Sequence, residues 1–387
     1  MQKVDFEAHN AEVARVWEAF WAGKPYRAPV TFGTNPKHFL LDPKANPDWP
    51  YPSFAEYSLN LDVMLRSQLQ YHKWLRFNVP QDREMGLPEQ WPGPVWDQQN
   101  YFEAAWFGCP IEYFEQDVPR FIPIFQEDPH LLAKAELPPP LMPEVVEATE
   151  ALREKSRGME FEGRPVGDAQ CYSLGTDGPF TNACNLRGAT EVCLDMYTDP
   201  KYYHELMDFI TTATIARLKA MWTYAGWTQP VEAWGFADDS IELLSVKDYI
   251  EFVYPYHRRL VDELTAGANP VFLHLCGNVE RLLPVLHSDL GVGHFDLGFP
   301  VDLGRIRKTL GPEVYLNGNL HPSLLLTGPE EAIEAEVKRI CGSGVMEGGR
   351  WICCEGSNVA PGTPISHYEA MYNAALKYGR YDQGDTL

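Results

Sequence analysis

An imidazole and a thiol stand two residues apart, at His274 and Cys276, in Pro270-Val-Phe-Leu-His-Leu-Cys-Gly-Asn278. The run is apolar, of strand length, and stops at a Gly-Asn turn, so it reads as a strand. Side chains at i and i+2 of a strand share a face, which sets His274 and Cys276 side by side at its carboxyl end. That is half of a zinc site, because zinc takes about four N, S or O donors in a tetrahedron. An isolated His-x-Cys is also an ordinary buried pair, so the assignment depends on donors from elsewhere. Those on offer lie in Arg350-Trp-Ile-Cys-Cys-Glu-Gly-Ser-Asn358. If that stretch is extended, Cys353, Glu355 and Ser357 share one face, and Cys354 joins them only through a bulge or turn.

Further polar groups fall where strands should end: Asp177 in Gly-Thr-Asp-Gly-Pro-Phe-Thr181, Asp238 and Asp239 after Trp234, Asp296, and Asn317 and Asn319 in Val314-Tyr-Leu-Asn-Gly-Asn319. Asp238, Asp239 and Glu355 are candidate catalytic carboxylates, with Asp238 or Asp239 as a base, and Asp177, Asn317, Asn319 and Ser357 could contact substrate. Asp, Asn and Gly are also common turn formers, and Asp238-Asp239-Ser240 has the composition of a helix cap.

The elements that must carry these groups alternate. Helix-like stretches cover 189–196, 200–225, 246–266, 279–287, 303–310, 329–340 and 364–377. Strand-like stretches cover 165–174, 230–234, 270–276, 294–297, 314–319 and 351–355. Repeated strand-helix units predict parallel strands with helical crossovers, and no Gly-x-Gly-x-x-Gly follows any strand, so an α/β (β/α)8 TIM barrel is favoured over an open dinucleotide-binding sheet. In such a barrel all the strand-end groups gather on one face, where active sites form. The first third is less regular. A helix over 4–21 and a strand over 27–32 precede a region rich in Trp, Tyr and Pro, read as loops, short helices and a hairpin that cover one end of the barrel. Leu137-Pro-Pro-Pro-Pro-Leu-Met-Pro143 is a stiff connector into a helix over 144–156. The whole chain reads as one barrel domain, with residues from about 37 to 160 as an inserted lid region.

At 387 residues and 45% apolar content the chain can bury a sizeable core. A formal charge of −22 argues against nucleic acid and anionic membrane surfaces as partners. No run approaches a membrane span, no signal pattern opens the chain, and eight cysteines are expected to be reduced, so a cytoplasmic location is expected. A homodimer is left open.

Taken together, Gly178-Pro-Phe-Thr181, Phe236-Ala-Asp-Asp239, the Pro-Tyr-His257 helix, His274-Leu-Cys-Gly-Asn278, Asn317-Gly-Asn-Leu320 and Asn358-Val-Ala-Pro-Gly-Thr-Pro364 resemble the uroporphyrinogen decarboxylase superfamily. The likeness is to its cobamide-dependent methyltransferase branch, the methylcobamide:coenzyme M and chloromethane methyltransferases, and covers roughly residues 160 to 380. It implies a barrel with Zn2+ held by His-x-Cys and a later Cys, hence His274, Cys276 and a third thiolate. Aligned on Pro-Gly-Thr-Pro364, the later Cys is replaced by Ser357, and Cys354 is taken as the third ligand, with Cys353 and Glu355 as alternatives. The resemblance implies methyl transfer between a small methylated donor or a thiol acceptor and a corrinoid (cobalamin). Since no Asp-x-His-x-x-Gly motif occurs, the corrinoid is expected on a separate corrinoid protein. The decarboxylase reaction is the first alternative, although Arg27-Ala-Pro-Val-Thr-Phe-Gly-Thr-Asn35 lacks an Arg-rich signature for a poly-acid substrate. A metal-dependent hydrolase or lyase with Asp238 or Asp239 as base is a second, and a non-catalytic binding protein a third.

Overall fold

Period-two burial organises the second half of the chain. In Val271–Leu275 the residues alternate buried and half-buried, with Val271, Leu273 and Leu275 on the covered face. The computed structural model describes residues 4–42, 52–98, 101–114, 117–171, 174–266 and 271–381. Within them, strands β1 (Gly235–Ala237), β2 (Val271–Leu275), β3 (Val292–Leu297), β4 (Tyr315–Leu320) and β5 (Trp351–Glu355) pair in parallel in that order. The ladder continues through single bridges, Asp177 with Ala237 beyond β1 and Val30 with Cys353 beyond β5. Asp82 then donates its backbone N–H to the Val30 carbonyl at 2.7 Å. Helices cross between successive strands, and the fold is a (β/α)8 TIM barrel.

The helices that matter below are α1 (Phe6–Trp21), α2 (Leu61–Asn78), α3 (Phe102–Trp106), α4 (Pro179–Arg187), α5 (Pro200–Tyr224), α6 (Tyr254–Leu264), α7 (Leu303–Leu310), α8 (Glu330–Ile340) and α9 (Ile365–Tyr378). On the covered face of the sheet Leu273, Leu275, Phe295, Leu297 and Leu316 are each at most 1% exposed. Burying each such side chain contributes about 1.5–3 kcal/mol. The inner face is polar instead. One row of the ladder runs Asp177, Ala237, His274, Asp296, Asn317, Ile352. Residues paired across neighbouring strands share a face, so this row lines the barrel interior.

Several elements depart from the sequence reading. The strand expected over 230–234 is β1, displaced to Gly235–Ala237. A Cβ at Gly235 would stand 2.5 Å from the Phe272 carbonyl oxygen, so close pairing of β1 with β2 requires the glycine that makes the segment look unlike a strand. The helix expected over 246–266 is broken: a π-turn, Tyr249–Val253, precedes α6 and absorbs Pro255, which has no N–H to give. The helix expected from 279 begins at Leu283, where Pro284 fits the first turn. In the aromatic-rich third, α2 is an 18-residue helix rather than a short one. Its buried set includes Ser67 and Gln68, and the Gln68 amide pairs with both backbone groups of Val95, so polar residues stand where an apolar stripe would be sought. Pro270, and Tyr172 and Ser173 of the 165–174 stretch, lie outside the described residues. Among the described residues no helix is long and apolar enough to cross a membrane.

Candidate metal centre

β2 delivers His274 on its inner face, and Cys276 follows just past the strand end. The ring is fixed from behind: His274 Nδ1 donates to Asp296 Oδ2 at 2.7 Å, its ladder neighbour on β3. That leaves Nε2 pointing toward the strand ends, 3.3 Å from Cys276 Sγ and 3.8 Å from Asp239 Oδ1. Asp239 comes from the end of β1, and its Oδ1 also accepts the Cys276 backbone N–H at 2.7 Å. Asp239, His274 and Cys276 form a group whose ligand atoms all lie within 4.8 Å of one another. Tetrahedral zinc with bonds of 2.0–2.3 Å sets its ligand atoms about 3.3–3.8 Å apart, the range of the two separations from His274 Nε2, so the N, S, O set is compatible with that ion. A carboxylate on the far nitrogen of the histidine is the usual support of such a ligand.

Burial by itself would lower the His274 pKa, but the hydrogen bonds to Asp296 and Cys276 and the charges of Asp296 and Asp239 raise it to about 11. Surroundings that hold a second proton on the ring are suited equally to a metal cation.

The expected third ligand is placed differently. Cys354 is paired with Asn319 in the β4–β5 ladder and is 8% exposed, and it does not belong to the Asp239, His274, Cys276 group. Cys353 lies in the apolar cluster behind the sheet. Burial pushes both thiols well up, so each stays protonated. Ser357, which stands in the place of the family's later cysteine, is the residue brought to the site, its Oγ 3.5 Å from Cys276 Sγ. Gly298 permits this approach, since a Cβ there would meet the Gly356 carbonyl at 2.8 Å and Cys276 Cα at 3.1 Å. Asp239, expected as a base, sets its Oδ1 beside the pair, where it could serve as an oxygen donor.

Asp238 points the other way. It is 0% exposed and accepts from Phe180 N at 3.2 Å, Thr181 N at 2.7 Å, Thr181 Oγ1 at 2.7 Å and His257 Nε2 at 2.7 Å. Tyr249 Oη lies 3.1 Å from the other ring nitrogen of His257. The carboxylate caps the N-terminus of α4, where the helix dipole favours a negative charge. Asp238 and Asp239, both expected as catalytic carboxylates, therefore stand in different surroundings, Asp238 buried under α4 and Asp239 beside the His274–Cys276 pair.

Glu355 accepts from Gly33 N through Oε1 at 2.8 Å, while Oε2 is buried with no hydrogen-bond partner among the described residues. Burial pushes its pKa up to about 8, so the carboxyl holds its proton at neutral pH. Asn319 is 4% exposed and ties the segment after β3, donating to the Gly298 carbonyl at 3.2 Å and the Val301 carbonyl at 2.6 Å. Asn317 Oδ1 is 2.9 Å from His294 Nε2. Asp177 is half-buried on the inner row; burial and the charges of Glu103, Asp238 and Asp239 hold it well above the ordinary carboxylate range, and Arg217 offsets only part. The role of Asp296 was missed by sequence reasoning, although its position at the same level of a neighbouring strand was the available signal.

A family model described as "Uroporphyrinogen decarboxylase (URO-D)" matches residues 101–378. The chain belongs to the uroporphyrinogen decarboxylase family. Asp239, His274 and Cys276 all lie inside the matched span. Among curated relatives, a uroporphyrinogen decarboxylase of Geobacter metallireducens is 34% identical over 169 residues, 42% of this chain and 47% of that protein. One of Trichlorobacter lovleyi is 29% identical over 259 residues, 64% of this chain and 71% of that protein. The chain thus spans about half the length of the first of these relatives, 47%. Among solved structures, a methyltransferase from Methanosarcina mazei superposes with a TM-score of 0.63 at 20% identity, over 95% of this chain and 98% of that one. At that identity the likeness establishes a common barrel fold.

Proposed function

We propose that this family member is a zinc-dependent methyltransferase, moving a methyl group between a small methylated donor or a thiol and a corrinoid carried by a partner protein in the cytoplasm. The observation that carries the reading is the convergence of His274 Nε2, Cys276 Sγ and Asp239 Oδ1, with Asp296 behind the imidazole. When bound there, zinc supplies a Lewis acid able to hold a thiol as thiolate or to polarise a methyl ether oxygen.

The chain's own residues do the rest. Asp296 fixes the ring plane and tautomer of His274. Asp239 fixes the turn that presents Cys276 through that residue's N–H, and supplies an oxygen donor in the same direction. Asp238 clamps α4 to the end of β1 and holds Asp239 in register. Glu355 keeps a proton close to Ser357, two residues along the same strand end. With one thiolate rather than two, this donor set gives the metal less charge, which favours Lewis-acid activation of a donor oxygen.

The names of the curated relatives favour a second reading, a metal-free carboxy-lyase. Against it, Arg27 is engaged by Asp82 at 2.7 and 2.8 Å and is 2% exposed, so it is not presented to a poly-acid. Purified protein, analysed for metal and incubated with methylcobalamin and thiols or with cob(I)alamin and methylated donors, separates the two. Bound zinc lost in Cys276→Ala, together with a change in cobalamin absorbance, is the expected result. Metal-free protein that decarboxylates a porphyrinogen and leaves both cobalamin spectra unchanged would overturn it.

A further inference from the structure

Resting on that reading of the metal centre, the far end of the substrate can be placed as well. Asp177 lies on the same ladder row as His274, with Ala237 between them. Strands in a sheet are spaced by about 4.8 Å, so the two backbones stand roughly 10 Å apart. Only the methyl group of Ala237 stands between them in the row. The backbone of Asp177 is fixed: its carbonyl accepts from Thr176 Oγ1 and Asn182 Nδ2, both at 2.8 Å. Its carboxylate, by contrast, meets no hydrogen-bond donor among the described residues, although the residue is half-buried.

The charge around that carboxylate is negative. Glu103, Asp238 and Asp239 act on it, and Arg217 is the opposing cation. Arg217 is already engaged: Nη2 donates to Glu103 Oε1 at 3.2 Å and to Thr176 Oγ1 at 2.9 Å, and the guanidinium lies over the rings of Phe102 and Trp106 at 5.3 and 5.2 Å. It is 1% exposed and cannot turn to meet an anion. Arg83 is the cation felt at Glu355, Tyr71 and His72.

We propose that Asp177 is a specificity-determining residue, selecting a substrate whose tail ends in a neutral hydrogen-bond donor or a cation and rejecting one that ends in sulfonate or carboxylate. An ammonium or hydroxyl at that distance from the metal donors gives Asp177 the partner that the described residues do not supply. A cation there would draw the proton from the Asp177 carboxyl and pair with it, whereas an anion would add to the negative charge that Glu103, Asp238 and Asp239 already exert at that point.

The test uses cobalt(II)-substituted protein, whose visible absorbance reports a thiol bound to the metal independently of methyl transfer. Three thiols of equal length are titrated: 2-aminoethanethiol, 2-mercaptoethanol and 2-mercaptoethanesulfonate. The aminothiol is expected to bind at least about tenfold more tightly than the sulfonate, with Asp177→Asn reducing that ratio about fivefold or more and Asp177→Glu preserving it. Equal or tighter binding of the sulfonate, or an unchanged ratio in a folded Asp177→Asn protein, overturns the inference while leaving the metal site intact. If Asp177→Asn does not fold, the wild-type series decides alone. Bound cobalt whose spectrum no thiol alters removes the thiol-on-metal reading, and this inference with it.

Discussion

Asp239 Oδ1 accepts the backbone N–H of Cys276 at 2.7 Å and stands 3.8 Å from His274 Nε2, so one carboxylate both shapes the turn and faces the same point as the imidazole. The pairing of Ala237 with His274 sets this up, because the residue two beyond each then meets its counterpart at the strand ends.

Removal of either inner donor should therefore empty the site. His274→Ala and Cys276→Ala are expected to lose zinc while keeping a folded barrel, and Asp296→Asn to weaken zinc binding about 10–100-fold. Metal content after dialysis and chelator competition measure both. Full occupancy in the two alanine variants would remove the assignment.

Ser357 offers the converse experiment. Its Oγ is 3.5 Å from Cys276 Sγ, so Ser357→Cys adds a second thiolate where the resemblance implies one. Zinc affinity should rise by about tenfold or more, read by competition with a chromophoric chelator. Cys354→Ser, on a side chain outside the donor group, should leave affinity within about twofold.

For Asp238 the expected effect is on stability. Asp238→Ala leaves His257 Nε2 without its partner and uncaps α4, and a loss of about 3–5 kcal/mol is expected from breaking so buried a pair. Urea unfolding measures it. Asp239→Ala, on a side chain 44% exposed, should cost about 1 kcal/mol or less while weakening metal binding more than tenfold. The opposite ranking would return Asp238 to the active site.

Glu355 should make stability depend on pH. Its folded pKa of about 8 lies above the ordinary 4.5, so its favourable contribution is complete below pH 4.5 and falls away as pH rises toward 8. Glu355→Gln retains an oxygen acceptor for Gly33 N and does not titrate. The stability of the Gln variant relative to wild type should therefore increase between pH 4.5 and 8 and level off above, by an amount on the order of a few kcal/mol at most. Parallel denaturant melts across this range check it, and a constant difference would show that the carboxyl is not held protonated.

Much of this was legible in the chain. Alternating strand and helix patterns fix an α/β barrel, and the spacing of His274 and Cys276 fixes that they share a face, because period two is local geometry. Chemistry at the strand ends followed from Asp, Asn and Cys recurring at the same place in successive units. Local pattern did not reveal which members of the ring converge. Asp238 and Asp239 are consecutive and so point apart, one under α4 and one toward the site. Only the register of β1 on β2, with Gly235 allowing their close approach, decides which is which. In the same way Cys354 reads as the ligand in sequence, while the missing side chain at Gly298 lets Gly356 close over and delivers Ser357 instead. Register and close approach are set by packing between segments distant in the chain, and a linear pattern holds no record of which strand will lie beside which, or how near.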